Sequence, residues 1–173
     1  MEKIEGFKAF TKGLITRQGN KLELYKLYRT EQPPVFMSSG FHMCKCLEDT
    51  LRYFDCSNID ICKVEGYPDY TTYYDDYTGS DEMYSCQGIL LTHLMTPEEI
   101  IEEAKQMNEY RFKKFIAFYP LNPEQKKYFL EKYIKDQWIL SELIYRFYDK
   151  TIFKRINEEN INIEEVARQY IKK

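Results

Sequence analysis

Three side chains able to bind a metal ion recur at every second position from His42 to Cys46. Alternate side chains of a β-strand share one face, so His42, Cys44 and Cys46 would point the same way. A thiol from Cys62 on a neighbouring strand, or from Cys86, would complete the four ligands that Zn²⁺ prefers. Structural zinc sites usually have two to four residues between paired cysteines, whereas only one residue separates Cys44 from Cys46 and no other pair has the usual spacing. We therefore predict no cofactor and keep a structural zinc ion as an alternative.

His42 also follows a Gly-Phe pair, and a histidine can transfer a proton near neutral pH. The predicted order around it, a strand, a short helix and another strand, loosely resembles the core of ADP-ribosyltransferase-like folds. In those folds a Gly-Phe-Tyr block lines the nicotinamide pocket, so the resemblance implies that His42 is a hydrogen-bond partner or general base. The chain has no Glu-x-Glu motif to complete such a site. We favour a structural histidine in a protein that is not an enzyme, and keep the transferase as an alternative.

The stretch from residue 65 to residue 84, EGYPDYTTYYDDYTGSDEMY, holds six acidic residues and six tyrosines but no Lys or Arg. Negative charges spaced between aromatic rings imitate a phosphate backbone with stacked bases, which a nucleic-acid-binding surface would grip. A solvated loop with partly packed tyrosine rings is the alternative interpretation. If the stretch binds a protein, we expect the contact residues to be Asp69, Tyr73, Tyr74, Asp75, Asp76, Tyr77, Asp81 and Glu82.

The composition predicts a folded protein with a substantial core, because 43% of its 173 residues are hydrophobic and 16% are aromatic. A net charge of −3 argues against direct binding to nucleic acid, which usually requires an excess of basic residues. The chain starts without an apolar signal segment, and no run approaches the ~20 apolar residues of a membrane span. We therefore expect a cytoplasmic protein without a membrane segment, whose five cysteines are reduced.

Short strands should dominate residues 1–95, because hydrophobic residues there alternate with polar ones. A short helix is expected over residues 47–54, where three apolar side chains share one face. Phe41 is predicted to be a core residue. The strands are expected at residues 6–10, 21–28, 39–44, 59–64 and 84–95.

Helical spacing takes over in residues 96–173. The segment Thr-Pro-Glu-Glu at 96–99 predicts a helix start, with an N-cap, a proline in the first turn and acids near the positive end of the dipole. Helices are expected at residues 97–119, at 123–156 as one helix or two joined near Asp136, and at 163–171. The predicted fold class is α+β: a small N-terminal antiparallel sheet with a short helix, followed by a helical C-terminal part that packs on it as one compact unit.

An ordered series of blocks runs through the first part of the chain: GFKAF at 6–10, Arg17, SGFHMC at 39–44 and KVEG at 63–66. The series resembles an uncharacterised domain family of bacteriophage genomes, whose members begin with a GFK-x-F block and continue through GFH-x-C. The resemblance covers roughly residues 4–66. It implies a phage or mobile-element gene whose product acts in a bacterial host.

In that context, the size, acidity and helical half of the chain look like those of anti-CRISPR proteins directed against Cas9. The likeness implies an inhibitor that binds a Cas9-type effector, or its guide complex, through the acidic, tyrosine-rich surface. Such an inhibitor would block nucleic-acid binding or cleavage. The alternatives are the ADP-ribosyltransferase-like enzyme that uses His42 and a nuclease that acts on guide RNA.

Overall fold

A computed structural model of the protein describes residues 3–74 and 82–172. The chain forms two compact units, Met1–Met107 and Asn108–Lys173. All strands of the described residues lie in the first unit, and the second consists of helices, which confirms the predicted α+β class. The division between the units follows the first helix of the helical half, so the first unit extends beyond residue 95.

The first unit contains five strands and two helices among its described residues. The strands are β1 (Ile4–Thr11), β2 (Leu27–Arg29), β3 (Phe41–Cys44), β4 (Ile59–Tyr74) and β5 (Glu82–Leu94). The helices are α1 (Leu47–Leu51), which lies between β3 and β4, and α2 (Pro97–Gln106), which follows β5.

The antiparallel sheet has the strand order β2-β5-β3-β1-β4, and β5 also pairs with β4. Because β1 and β5 each pair with both β3 and β4, these four strands close on themselves. Their inward side chains form a core that includes Phe10, Val64, Ile89 and Leu91. Gly66 belongs to this close packing, since a Cβ atom there would lie 2.5 Å from the Sγ atom of Cys86. The closed arrangement fixes which side chains of β1 and β3 meet.

Three sequence-based element assignments were wrong in extent. Residues 21–28 do not form one strand, because Tyr25 has a φ of 61° that interrupts extended backbone, and only β2 remains. The helix after β3 ends at Leu51 rather than at residue 54. The strand predicted at residues 59–64 continues to Tyr74, because β4 pairs with β5 far beyond the hydrophobic run that marks its start.

The second unit contains five helices among its described residues: α3 (Glu109–Phe118), α4 (Pro123–Lys132), α5 (Gln137–Phe147), α6 (Ile152–Glu159) and α7 (Ile163–Ile171). The helix predicted at residues 97–119 is therefore interrupted, whereas the break near Asp136 is one of the two alternatives predicted for residues 123–156. Asn108 and Asp136 cap new helices, because their side chains accept hydrogen bonds from backbone N–H groups three residues later. Buried Phe112 and Phe129, whose ring centroids are 4.5 Å apart, lie in the core of this unit. No helix in the described ranges is both long and apolar enough to cross a membrane.

A cationic and aromatic cavity as candidate functional site

The first unit contains a cavity of about 800 Å³, which is within the range of small-molecule binding sites. Its walls come from β1, β3, the end of α1 and the two segments 16–22 and 36–40. Met83 of β5 also lines it. The cavity therefore lies where the closed strands meet the long connections between β1, β2 and β3.

The segment after β1 is held in place by the buried carboxylate of Asp60. One oxygen accepts hydrogen bonds from the backbone N–H groups of Gly13 and Leu14, at 2.7 and 3.1 Å, and the other pairs with Lys12 at 2.8 Å. Burial by itself would raise the pKa of Asp60, but these hydrogen bonds lower it overall. A charged Asp60 thus fixes the start of the segment that carries Arg17 into the cavity wall.

Lys8, at the middle of β1, lines the cavity and donates a hydrogen bond from Nζ to the carbonyl oxygen of His42 at 2.5 Å. Burial lowers the pKa of Lys8 from 10.5 to about 8. The nearby thiols of Cys44 and Cys86 carry no compensating charge, because burial raises the pKa of each to about 12. Within the described ranges no carboxylate forms an ion pair with Lys8. Its amine is therefore a partly buried base without a neighbouring negative charge.

His42 lies on β3, opposite Ser85 of β5, and is partly buried. Burial and then the positive charge of Lys8 lower its pKa, so the ring is neutral at neutral pH. The ring makes one hydrogen bond to the backbone of Val35. Its Nε2 atom is buried and has no hydrogen-bond partner among the described residues. Such an unsatisfied polar atom is uncommon in a folded protein and marks a site that a ligand or water can complete.

Phe36 covers His42 from the segment between β2 and β3. Its ring makes an edge contact with the His42 ring at a centroid distance of 6.1 Å and stacks on the Tyr73 ring at 4.0 Å. The segment turns back on itself through a bridge between Val35 and Ser39, and the Ser85 hydroxyl donates to the Ser39 carbonyl at 2.6 Å. A short, pinned turn thus holds one aromatic ring between the cavity and the β4–β5 hairpin.

The charge of the cavity wall is opposite in sign to that of the chain. The chain has 28 acidic and 25 basic residues. The described residues that line the cavity include no Asp or Glu but include Lys8, Arg17, Lys21 and His42. Arg17 and Lys21 form no ion pair with any described carboxylate. Six aromatic rings complete the wall, from Phe7, Tyr28, Phe36, Phe41, Tyr53 and Phe54.

Two sequence-based expectations about this region need correction. Phe41 is only partly buried, because it packs against the core on one side and lines the cavity on another. The ligand atoms of His42, Cys44, Cys46 and Cys62 do not gather into a group within 4.8 Å in the described part of the chain. The reasons are that Cys46 lies beyond the end of β3 and that β1 separates β3 from the strand carrying Cys62. A group that does gather consists of Cys46, Glu48 and Asp49.

The predicted protein-binding residues divide into two sets. Asp75, Asp76, Tyr77 and Asp81 lie outside the described residues. Of the others, Asp69 and Tyr74 are exposed, and Tyr74 is 57% accessible. Tyr73 is 39% accessible although one face of its ring contacts Phe36. Glu82 is partly buried and accepts a hydrogen bond from the Tyr84 hydroxyl.

Sequence reasoning selected His42 but did not select Lys8, Arg17 or Lys21 as site residues. The first two belong to the GFKAF and Arg17 blocks that led to the phage-domain resemblance, which was the only signal for them. Nothing in the sequence indicated that Lys21 lines the same cavity. Comparisons with protein-family models, curated proteins and solved structures find no significant match to this chain.

Proposed function

We propose that the protein binds an anionic ligand with an aromatic ring, of the nucleotide class, in the cavity of its first unit. The observation that carries the proposal is the composition of the wall, which combines Lys8, Arg17 and Lys21 with six aromatic rings and, among the described residues, no carboxylate. Arg and Lys bind phosphate oxygens, and aromatic rings stack on bases. An uncharged ligand would not require a basic cavity wall in a protein that is acidic overall.

The neutral His42 ring supports recognition of the ring of the ligand. Because one nitrogen is bonded to the Val35 backbone, the unpartnered Nε2 atom is available as an acceptor. A ligand N–H or O–H group that donated to Nε2 would satisfy the buried atom. Phe36 now lies against this ring, so the proposal requires a small movement of the Phe36 side chain.

Titration calorimetry with a nucleoside diphosphate, NAD and uncharged adenosine tests the proposal. We expect the two charged ligands to bind and adenosine to bind much more weakly. Arg17→Ala or Lys21→Ala should each weaken binding by roughly 10-fold or more, the usual loss for a charge-assisted hydrogen bond. Lys63→Ala is the matched control, because Lys63 is exposed on β4 outside the cavity wall. Equal affinity for all three ligands, or an equal loss in the control, would refute the proposal.

Turnover of such a ligand would fit the ADP-ribosyltransferase-like alternative. NAD belongs to the proposed ligand class, and His42 lines the cavity, as that alternative requires. Incubation with labelled NAD and a host lysate, followed by detection of labelled protein, compares the wild type with His42→Ala. Label that disappears in the variant would establish transferase activity. Binding without label would leave the protein a nucleotide-binding module.

We also propose that the β4–β5 hairpin binds a basic, nucleic-acid-handling protein, a Cas9-type effector in the cytoplasm of a bacterial host. The supporting observation is that Tyr74 and Asp69 are exposed on this hairpin. Tyrosine supplies contact area at low entropic cost, and carboxylates compete for the Arg and Lys residues that hold phosphates. The inhibitor would thereby block nucleic-acid binding or cleavage.

A pull-down from host lysate with and without the Cas9–guide complex, followed by a DNA-cleavage assay, tests this second proposal. Reversal of Asp75, Asp76 and Asp81 to Lys should abolish inhibition, and inhibition by the wild type should weaken with salt. The matched control reverses three exposed acids outside the hairpin, namely Glu5, Glu31 and Glu131. Full inhibition by the hairpin variant would exclude the hairpin as the contact.

A further inference from the structure

Lys8 offers the cavity an amine in an unusual position. Its Nζ atom is held by one hydrogen bond to the His42 carbonyl and has no described carboxylate as an ion-pair partner. In the neutral form, one N–H bond serves that carbonyl and the nitrogen lone pair stays available. The side chain lines the cavity and is only partly buried, so a bound ligand can reach it.

We propose that Lys8 is a nucleophile that forms a reversible imine with the aldehyde group of a phosphorylated aromatic aldehyde bound in the cavity. The inference rests on the proposed function, because Arg17 and Lys21 would bind the phosphate and the aromatic wall would hold the ring. It adds a covalent step that nucleotide binding alone does not need. The class of ligand is a ring that carries both an aldehyde and a phosphate.

The step balances without an oxidant or reductant. The Nζ lone pair attacks the carbonyl carbon, a C–N bond forms, and the carbonyl oxygen takes up a proton. Loss of that oxygen as one molecule of water gives the C=N bond, and hydrolysis reverses the sequence. Lysine amines attack carbonyl groups in this way when their surroundings favour the neutral form.

The surroundings of Lys8 favour the neutral amine. The titratable groups that face it are His42 and Cys44 on β3, Cys86 on β5 and its register partner Cys62 on β4. None of them carries a negative charge near neutral pH, because burial raises the pKa of each thiol to about 12. The pKa of Lys8 is about 8, so about half of the amine is neutral at pH 8. An ordinary lysine would be neutral in roughly one molecule in 250 at that pH.

Labelling of the full-length protein with pyridoxal 5′-phosphate and borohydride, followed by peptide mapping, tests the inference. We expect Lys8 to be labelled first, with an initial rate that rises with pH through a midpoint near pH 8. Lys8→Arg should remove this label. Lys12→Arg is the matched control and should retain it, because Lys12 lies just beyond β1 and pairs with Asp60 outside the cavity wall. Label spread evenly over exposed lysines, or unchanged in Lys8→Arg, would overturn the inference.

Two further probes separate this inference from the proposed function. Pyridoxine 5′-phosphate, which has an alcohol in place of the aldehyde, should bind and should protect Lys8 from labelling. If pyridoxine 5′-phosphate binds but pyridoxal 5′-phosphate does not label Lys8, the imine is refuted and the proposal of anion binding stands. Pyridoxal without phosphate should label Lys8 at least 10-fold more slowly. If pyridoxal and pyridoxal 5′-phosphate label Lys8 selectively and at equal rates, Lys8 is a nucleophile but the phosphate contact is refuted. If Lys8→Arg does not fold, protection of wild-type Lys8 from labelling by pyridoxine 5′-phosphate still tests whether the label forms in the cavity.

Discussion

Replacement of Lys8 by methionine should stabilise the protein at neutral pH. The pKa of Lys8 is about 8 in the folded protein and would return to 10.5 in the unfolded chain. The difference corresponds to about 3 kcal/mol at ~1.36 kcal/mol for each pKa unit. Solvent screening of a partly exposed side chain reduces this figure, so we expect a gain of about 2–3 kcal/mol from removal of the charge. Methionine keeps most of the side-chain volume, which limits the loss of packing.

The gain should depend on pH with a defined sign. Below pH 8 both states bind the Lys8 proton, and the full penalty is present in the folded wild type. Between pH 8 and 10.5 the folded state loses this proton first, so wild-type stability rises relative to the variant. Above pH 10.5 both states are neutral at Lys8, and the penalty is absent.

Urea unfolding followed by far-UV circular dichroism, at several pH values from 7 to 10.5, measures the effect. The difference between wild type and variant is the useful quantity, because tyrosine titration affects both proteins alike. Lys12→Met should have the opposite sign, since it removes the partner of buried Asp60. A difference between wild type and Lys8→Met that stays constant across this pH range would refute the reasoning.

Three further perturbations test other features of the molecule. Phe36→Ala should raise the pKa of His42 toward its ordinary value, because burial is the main cause of its lowering; an NMR titration that finds the same pKa would contradict this. Gly66→Ala should destabilise the first unit by about 1–3 kcal/mol in urea unfolding, because the new Cβ atom would lie 2.5 Å from the buried sulfur of Cys86. Gly19→Ala is the control and should cost less despite the positive φ of Gly19, because its Cβ atom would meet no atom within 4 Å. Asn122→Ala should cost about 1 kcal/mol by removing a capping box, measured as a lower Tm; an unchanged Tm would mean that water replaces the cap.

Helix starts could be predicted where the signal is local. Thr96 caps its helix as predicted, and Asn122, which also precedes a proline, caps the helix expected from residue 123, because an N-cap needs only residues within one turn. The break at Asn108 was missed because the apolar spacing continues through it. The cap there also depends on the orientation of the Asn108 side chain, which the spacing of apolar residues does not indicate.

Long-range features could not be predicted from the same patterns. The full length of β4 depends on pairing with β5, which local hydrophobicity does not encode. Lys8 occupies a polar position in an alternating strand, and such a position normally faces water. It faces a cavity because the strands close and the segments 16–22 and 36–40 fold over them. Neither condition is visible before the fold is known.

The ring of Phe36 contacts Tyr73 of the hairpin on one face and His42 of the cavity at its edge. A protein that pulled Tyr73 away would therefore free the Phe36 ring, which now contacts the His42 ring that carries the unpartnered Nε2 atom. Thermodynamic linkage makes any such effect mutual. If a ligand in the cavity changes the affinity of the hairpin for its partner by some factor, the partner must change the affinity for the ligand by that same factor. The Phe36 ring would thus couple the affinity of the cavity for its ligand to the affinity of the hairpin for its partner.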